Sequence, residues 1–496
     1  MVVGLPPAWA PDLPAREDAV TWMEAEHGNL RAAVGYAADG LPGHAIAIPA
    51  AMDGFLRTQG RWDQALALHR TAAESARHGG DRLAEAGAFT DLGVVQRLTG
   101  DYQAASTGFA RALELCRGAG DRLGEANALN ELGVVQYLTG DYPAAATGLA
   151  QALELFGGVG DRLGEASALY RLGTVQRLTG DYQAAAATQT RAQELYGDLG
   201  DRLGEASALN ERGVVQHLTG DYPAAAASQA TALEGYRQLG DRLGQANALT
   251  DLGIVQHLTG DYPAAAASQA DALQLYRELG NRLGEASALS NLGAVQYATG
   301  QYPAAAASLT QALALCRDLG DRLGEANLLS DLGVVHSLTG DQPAAAASLT
   351  QALDLFRRVG SRHGEASALN NLAVVQRLTG DHRPAAASLT RALDLFRDMG
   401  NRIGEAEVLN NMGELALVCF TPAVAHAHHQ QALAIATSLA SPLEEARALE
   451  GIGRYHLQAG QTGKSAAPLR QALAIYQRIG SPNTQRVKTT LHDRAL

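Results

Sequence analysis

Residues 201–240 read DRLGEASALNERGVVQHLTGDYPAAAASQATALEGYRQLG, and this stretch decides the fold. It holds two segments of helical periodicity separated by a glycine turn. In the first, Ala206, Leu209, Gly213 and Gln216 fall on one stripe of a helix. Asp201 stands where an N-cap belongs, and Glu205 lies four residues on rather than three, so there is no capping box. Gly220 supplies the left-handed residue that ends a helix. Asp221 caps a second segment, Pro223 sits in its first turn where a missing N–H costs nothing, and Gly240 closes it. The reading is a helix from about Arg202 to Thr219 and another from Tyr222 to about Gln238.

The same pattern fills the chain. From residue 41 to 480 it divides into eleven blocks of forty without insertion or deletion, the best copies lying between 81 and 400. The mid-block glycine returns every fortieth residue from Gly60 to Gly380 and again at Gly460, and Phe420 alone breaks the series. A helix pair this short cannot bury its own apolar face, so it must stack on its neighbours. The expected fold is an all-α solenoid.

The order of small and large residues resembles the tetratricopeptide repeat (TPR). In block 121–160 that order is Leu129, Leu132-Gly133, Gln136 in the aromatic place, Gly140-Asp141-Tyr142, Ala145 and Ala152. Two features depart from the family pattern: Gln replaces the aromatic residue in most copies, and the closing proline is missing. The forty-residue form resembles the variant of cell-polarity adaptors, and ALNNLAVV (368–375) resembles kinesin light chains. The resemblance implies a right-handed superhelical solenoid whose first helices line a concave groove. Residues 17–40, with TWMEAEHGNLRAAVGYA, resemble the segment joining the nucleotide-switch and winged-helix domains of bacterial NB-ARC/STAND-type regulators to their C-terminal TPR array. The chain then reads as such an array standing alone, or as a piece of one. Residues 1–16 are a Pro-rich N-terminal segment, 17–40 one helix, 41–480 the solenoid and 481–496 a polar capping helix with Arg486, Lys488, His492 and Arg494.

Charge narrows the partners. The net charge is −13 and no basic stripe offsets it, which disfavours nucleic acid and anionic membrane surfaces. The three cysteines, Cys116, Cys316 and Cys419, are far apart and read as small buried apolar residues in a reducing compartment. The N-terminus lacks the pattern of a signal peptide, and no apolar run reaches the roughly 18 residues a membrane span needs, so the expected location is the cytoplasm.

Motifs for chemistry fail on inspection. GQTGKS (460–465) looks like a P-loop, but Gln458 stands where the first glycine is required. In HAHH (426–429), His426 and His429 share a helical face without an acidic or Cys partner near in sequence, and His429 takes a place that other copies give to Leu. His217 and His257 hold the same place in successive blocks, yet zinc would need both nitrogens about 2 Å from the metal, and helices pack about 8–10 Å apart. No catalytic residues, metal ligands or cofactor are assigned, and the chain is read as a non-enzyme.

Places that stay fixed from block to block are those stacking demands. Places that vary are free or differ for a purpose. Three rows on the first helices vary most. The first includes Asn130, Tyr170, Asn210 and Asn370; the second Arg171, Glu211, Asp251, Asn291 and Asn371; the third Tyr137, Arg177, His217, His257, Tyr297 and Arg377. The first and third rows share a face, and family geometry places it in the groove, where Asn side chains could hydrogen-bond a peptide backbone. The second row is acidic toward the N-terminus and neutral toward the C-terminus, which fits a partner with basic residues. Drift after recent duplication is the plainer explanation of the same variation.

Arg212 takes the Leu place before the repeat glycine. It falls within the three-block run in which Gln189, Gln229 and Gln269 replace a large apolar residue. Burying an unpaired guanidinium is costly. The expected partners are Gln189 or Gln229, or Glu211 or Glu205 reached by snorkelling. Two functions compete: a scaffold binding a protein or peptide in the groove, as the sensing or recruiting arm of a bacterial signalling or transcriptional regulator, and an enzyme or small-molecule binder built into the superhelix. Self-association through the solenoid ends is a third option.

Overall fold

In the computed structural model, described for residues 16–38, 40–479, 481 and 483–494, every described regular element is an α-helix. The Pro-rich segment 1–15 lies outside the described residues. Helix α1 (Arg16–Ala37) is followed by eleven pairs, from α2/α3 (Pro42–Thr58, Trp62–Gly79) to α22/α23 (Pro442–Gln458, Thr462–Arg478), and then by α24 (Asn483–Asp493). The described chain forms two compact units, one reaching to Val255 and the other beginning at Gln256. Within each unit consecutive helices pack on one another, and first helices touch the first helix of the next pair.

The local signals act as their chemistry requires. In α10 (Arg202–Leu218) the Asp201 carboxylate accepts the Gly204 N–H at 3.0 Å, and at the start of α11 (Tyr222–Leu239) Asp221 accepts that of Ala224 at 3.2 Å. The first helix stops a residue earlier than expected, because the Thr219 hydroxyl turns back onto the carbonyls of Val215 and Gln216. Gly220 then takes φ +86°, and the Asp221 N–H reaches back to the Gln216 carbonyl at 2.9 Å. Phe420 and Ala440 hold the same left-handed turn without glycine, at φ 55° and 50°, which strains a side-chain-bearing residue.

Small residues set the helix spacing. Ala208, Ala225 and Ala232 are fully buried. A Cβ on Gly204 would lie 2.3 Å from the Tyr196 ring, so that aromatic from the preceding second helix seats directly on the backbone. Large residues fill what remains, with Leu149 packed over Gly133 and Leu349 over Gly333; each such burial stabilises by roughly 1.5–3 kcal/mol. In α24, Val487 and Leu491 cover Leu469 and Tyr476, so this helix is amphipathic. One cysteine departs from expectation. Cys116 and Cys316 are buried, but Cys419 is exposed, because it takes the turn place where other copies carry an exposed threonine such as Thr219.

Candidate functional site

The variable rows converge on one face of the first helices in each unit. In the N-terminal unit they form a ladder. Glu131 accepts Arg171 Nη2 at 2.7 Å and lies 3.3 Å from Arg97 Nη2, so one carboxylate spans three successive blocks. Arg171 also donates to the Asn130 carbonyl at 2.9 Å. Arg177 Nε donates to Glu211 at 2.9 Å, and Asn210 Nδ2 to Asp251 at 2.8 Å. Each rung ties a first helix to the next one along.

This corrects the expectation that the asparagines offer their amides to a peptide. Asn130, Asn210 and Asn370 are 6%, 8% and 2% exposed. Their Nδ2 groups donate across the seam to Ser167, Asp251 and Glu407. Tyr170 sits deep beside them, and burial pushes its phenol far up. Tyr137 is half-buried, and its phenol is raised for the same reason. Half-buried His217 is held below the usual imidazole range by desolvation and by Arg177. Half-buried Asp251 is raised by desolvation to about 6, against the hydrogen bond from Asn210, which favours its charged form.

In the C-terminal unit the face carries two cavities. The first, of about 270 Å³, is walled by Gly293, Ala294, Leu309, Val334 and Val335, with Tyr297 and Asp331 beside them. Ala294 opens it, because Val134, Val214, Val334 and Val374 hold that place elsewhere. The Asp331 side chain reaches solvent, yet desolvation by the protein around it lifts its carboxyl to about 6, and among the described residues no cation is bonded to it. Tyr297 is 40% exposed. Asn291 is half-buried on the same face, and His257 packs edge-on against Tyr262 with ring centroids 5.6 Å apart.

The second cavity, of about 230 Å³, is polar, and Asn371 and Arg377 line it with Glu407, Glu414, Arg447 and Arg486. Its charges are matched in turn. Arg454 grips both oxygens of Glu414 at 2.7 and 2.6 Å. Arg447 holds Glu444 at 3.1 Å and Asn411 at 2.6 Å, and Arg486 holds Glu450 at 2.8 Å. Among the described residues Arg377 has no bonded carboxylate, and desolvation lowers its pKa against the pull of Glu414, with three arginines nearby adding to the lowering.

At the centre of this network is His429, fully buried in a place other copies give to Leu. Its ring lies between Gly413 and Gly451, where a Cβ would come within 2.4 and 2.3 Å of Nε2. The Asn410 amide donates to Glu444 at 2.9 Å, so its oxygen faces His429 and Nδ1–H of the ring donates to it at 3.1 Å. Desolvation pushes the imidazole down to about 4. His426 instead stacks on Tyr455 at 4.4 Å.

Sequence reasoning missed Glu407, Glu414, Arg447 and Arg454. The signal was available: earlier blocks hold Ser or Asn where Glu407 and Arg447 stand, and Val in most copies where Glu414 and Arg454 stand. Arg212 also needs correction. Its Nη1 donates to Gln193 Oε1 at 2.6 Å, rather than to Gln189, Gln229, Glu211 or Glu205. Gln193 occupies a place held by Leu113, Leu153, Leu233 and Leu273 elsewhere, so a polar pair stands where other copies carry leucine at both places. Gln189, Gln229 and Gln269 are fully buried, and Gln189 Nε2 donates to the Tyr170 carbonyl at 2.9 Å. Neither amide atom of Gln229 finds a partner.

GQTGKS spans a turn between two helices: Gly460 has φ +71° and α23 begins at Thr462. No described helix is long and apolar enough to cross a membrane.

With this geometry in hand, comparison with known proteins settles the family. The tetratricopeptide repeat model matches residues 54–118, 100–157, 124–198, 204–278, 284–358 and 347–398, and the chain belongs to that family. No curated protein matches the sequence. Among solved structures, the chain is similar to a Signal Transduction ATPase with Numerous Domains (STAND) protein with a tetratricopeptide repeat sensor, from Pyrococcus horikoshii. Identity is 15%, the TM-score is 0.54, and the match covers 70% of this chain and 52% of that one, about half its length. It is also similar to a Rap protein complexed with Competence and Sporulation Factor, at 17% identity over 72% of this chain and 98% of that one, with a TM-score of 0.51. Identities this low carry the fold alone.

Proposed function

We propose that the chain is a protein-interaction scaffold that holds a protein or peptide partner, through its basic residues, against the first-helix face. On this reading it is the sensing or recruiting arm of a bacterial signalling or transcriptional regulator. The observation that carries the proposal is the cavity at Asp331. An apolar pocket of about 270 Å³ with one carboxylate at its edge and a tyrosine beside it suits a lysine or arginine, whose aliphatic stem packs while its charge stays at the rim. Among the described residues the carboxylate has no bonded cation of its own. Asp251 gives the N-terminal unit a second carboxyl bonded only by an amide. The two similar structures favour the regulatory setting: one is a Signal Transduction ATPase with a tetratricopeptide repeat sensor, and the other is complexed with Competence and Sporulation Factor.

The test is a pulldown from the source lysate with wild-type protein and with Asp331→Asn. It runs beside a thermal-shift screen of metabolites. A recovered partner whose affinity falls about tenfold in Asp331→Asn, the loss of one charge-assisted hydrogen bond, supports the proposal. Stabilisation by a metabolite with no partner recovered sinks it.

A further inference from the structure

Block 201–240 departs from its neighbours on a second face, away from the rows just described. In α11, Gly235 stands where the flanking copies carry Leu195 and Leu275 and others carry Leu115, Leu315 and Leu395. Leu115, Leu195 and Leu395 are buried at that place, to 7%, 9% and 1% exposure. At position 235 a Cβ would meet only Ala206, at 3.3 Å. The missing side chain leaves a cavity of about 450 Å³ between α10 and α11, floored by Ala206, Leu209 and Leu239 and rimmed by Arg202, Glu205 and Glu234.

The charges around the cavity have lost their partners too. In other blocks the arginine at the start of the first helix pairs with an aspartate near the end of the second: Arg162 with Asp198 at 2.8 Å, Arg282 with Asp318 at 2.7 Å, Arg362 with Asp398 at 2.9 Å. Gln238 replaces that aspartate here, so among the described residues Arg202 lacks this partner, with Glu205 and Glu234 the carboxylates that share its cavity. Glu205 is likewise stripped. Its equivalents Glu285, Glu325 and Glu365 each receive an arginine from the preceding block, but Gly197 stands in that place. Two consensus side chains, a leucine and an arginine, are thus absent around one cavity, together with the aspartate that three other blocks carry.

We infer that this cavity is a docking pocket for a partner segment presenting Leu-x-x-Asp on one helical face. The solenoid itself supplies that pair elsewhere, as Leu195 with Asp198, Leu315 with Asp318 and Leu395 with Asp398. Residues three apart on a helix point the same way. An incoming leucine fills the space its own repeat leaves empty, and an incoming carboxylate meets Arg202. Glu205 and Glu234 at the rim repel further acids, so the favoured segment carries one carboxylate. This is the helix-in-groove mode of peptide recognition, with an aliphatic anchor and one charge setting the register.

The experiment titrates the blocked tetrapeptide acetyl-Leu-Ala-Ala-Asp-amide into the full chain, read by ligand-observed NMR. Saturable binding to wild type is expected. Replacing the peptide Asp by Asn, or Arg202 by Gln, weakens it about tenfold. Gly235→Leu restores the residue of the neighbouring copies, so the variant folds, and it abolishes binding. Equal binding to wild type and Gly235→Leu overturns the inference, as does no saturable binding to wild type. Free leucine binding as tightly as the tetrapeptide also overturns it, in favour of a metabolite pocket. Asp331→Asn leaves tetrapeptide binding unchanged, so this pocket and the first-helix face fail or stand separately.

Discussion

The two units solve the same problem differently. Both place charged and amide side chains on the first-helix face. In the N-terminal unit each group is matched locally: Glu131 to Arg171, Glu211 to Arg177, Asp251 to Asn210. In the C-terminal unit the groups merge around a buried imidazole, running from Asn370 through Asn411 and Arg447 to Glu444, Asn410 and His429. A ladder loses one rung at a time. A network fails as a whole, because each member satisfies several others.

The largest expected effect is therefore Arg447→Ala. It leaves the buried Glu444 carboxylate without its cation and Asn411 Oδ1 without its donor, and should destabilise the C-terminal unit by about 3 kcal/mol, measured by urea unfolding. Arg177→Ala in the ladder should cost about 1 kcal/mol. Equal losses would erase the distinction.

Acid should separate the units next. The folded pKa of His429 is about 4, below the ordinary value of 6.5. The unfolded chain therefore binds the proton first, and stability is lost as pH falls from 6.5 toward 4, by an amount on the order of 2 kcal/mol. His429→Leu should flatten that part of the pH–stability curve. Asp251 runs the other way. With its folded pKa raised from 3.8 to about 6, the folded state holds the proton longer, so stability falls as pH rises from 4 to 6. Asp251→Asn should remove that fall, and an unchanged slope would show that the carboxyl is not desolvated.

A smaller effect concerns the polar pair. Arg212→Leu with Gln193→Leu should raise stability by about 1–2 kcal/mol, while either change alone should give less, since it strands the other partner. Smallest is Phe420→Gly, expected to raise stability by about 1 kcal/mol by relieving the left-handed turn, read as a higher Tm.

The fold was legible because its signals are local. Asp201, Gly220, Asp221 and Gly240 mark helix ends within a few residues, and the forty-residue phase repeats them. The variable rows were legible because they stand against places that stay fixed from block to block. The direction of the asparagines was not, since an Asn amide at the seam reaches the next first helix as readily as a ligand. Gln193 was missed because it belongs to the second helix of the previous block, nineteen residues from Arg212. The C-terminal network was missed because Glu414 and Arg454 stand where most copies carry valine, outside the three rows that vary most.

The rungs of the ladder join successive blocks, Glu131 to Arg171 and Asn210 to Asp251 across 40 and 41 residues and Arg177 to Glu211 across 34. Near-identical tandem stretches are prone to slip when a gene is copied, adding or removing one unit at a time. Because helix ends, alanines and glycines recur in phase, a one-unit change leaves a foldable chain. The rungs do not recur. Loss of the block bearing Arg171 sets Glu131 against Glu211, and a duplicated one sets arginine against arginine. Copy number is thus free for the scaffold and constrained for its decorated face, so charge pairing between neighbours keeps a record of which repeats have stood side by side.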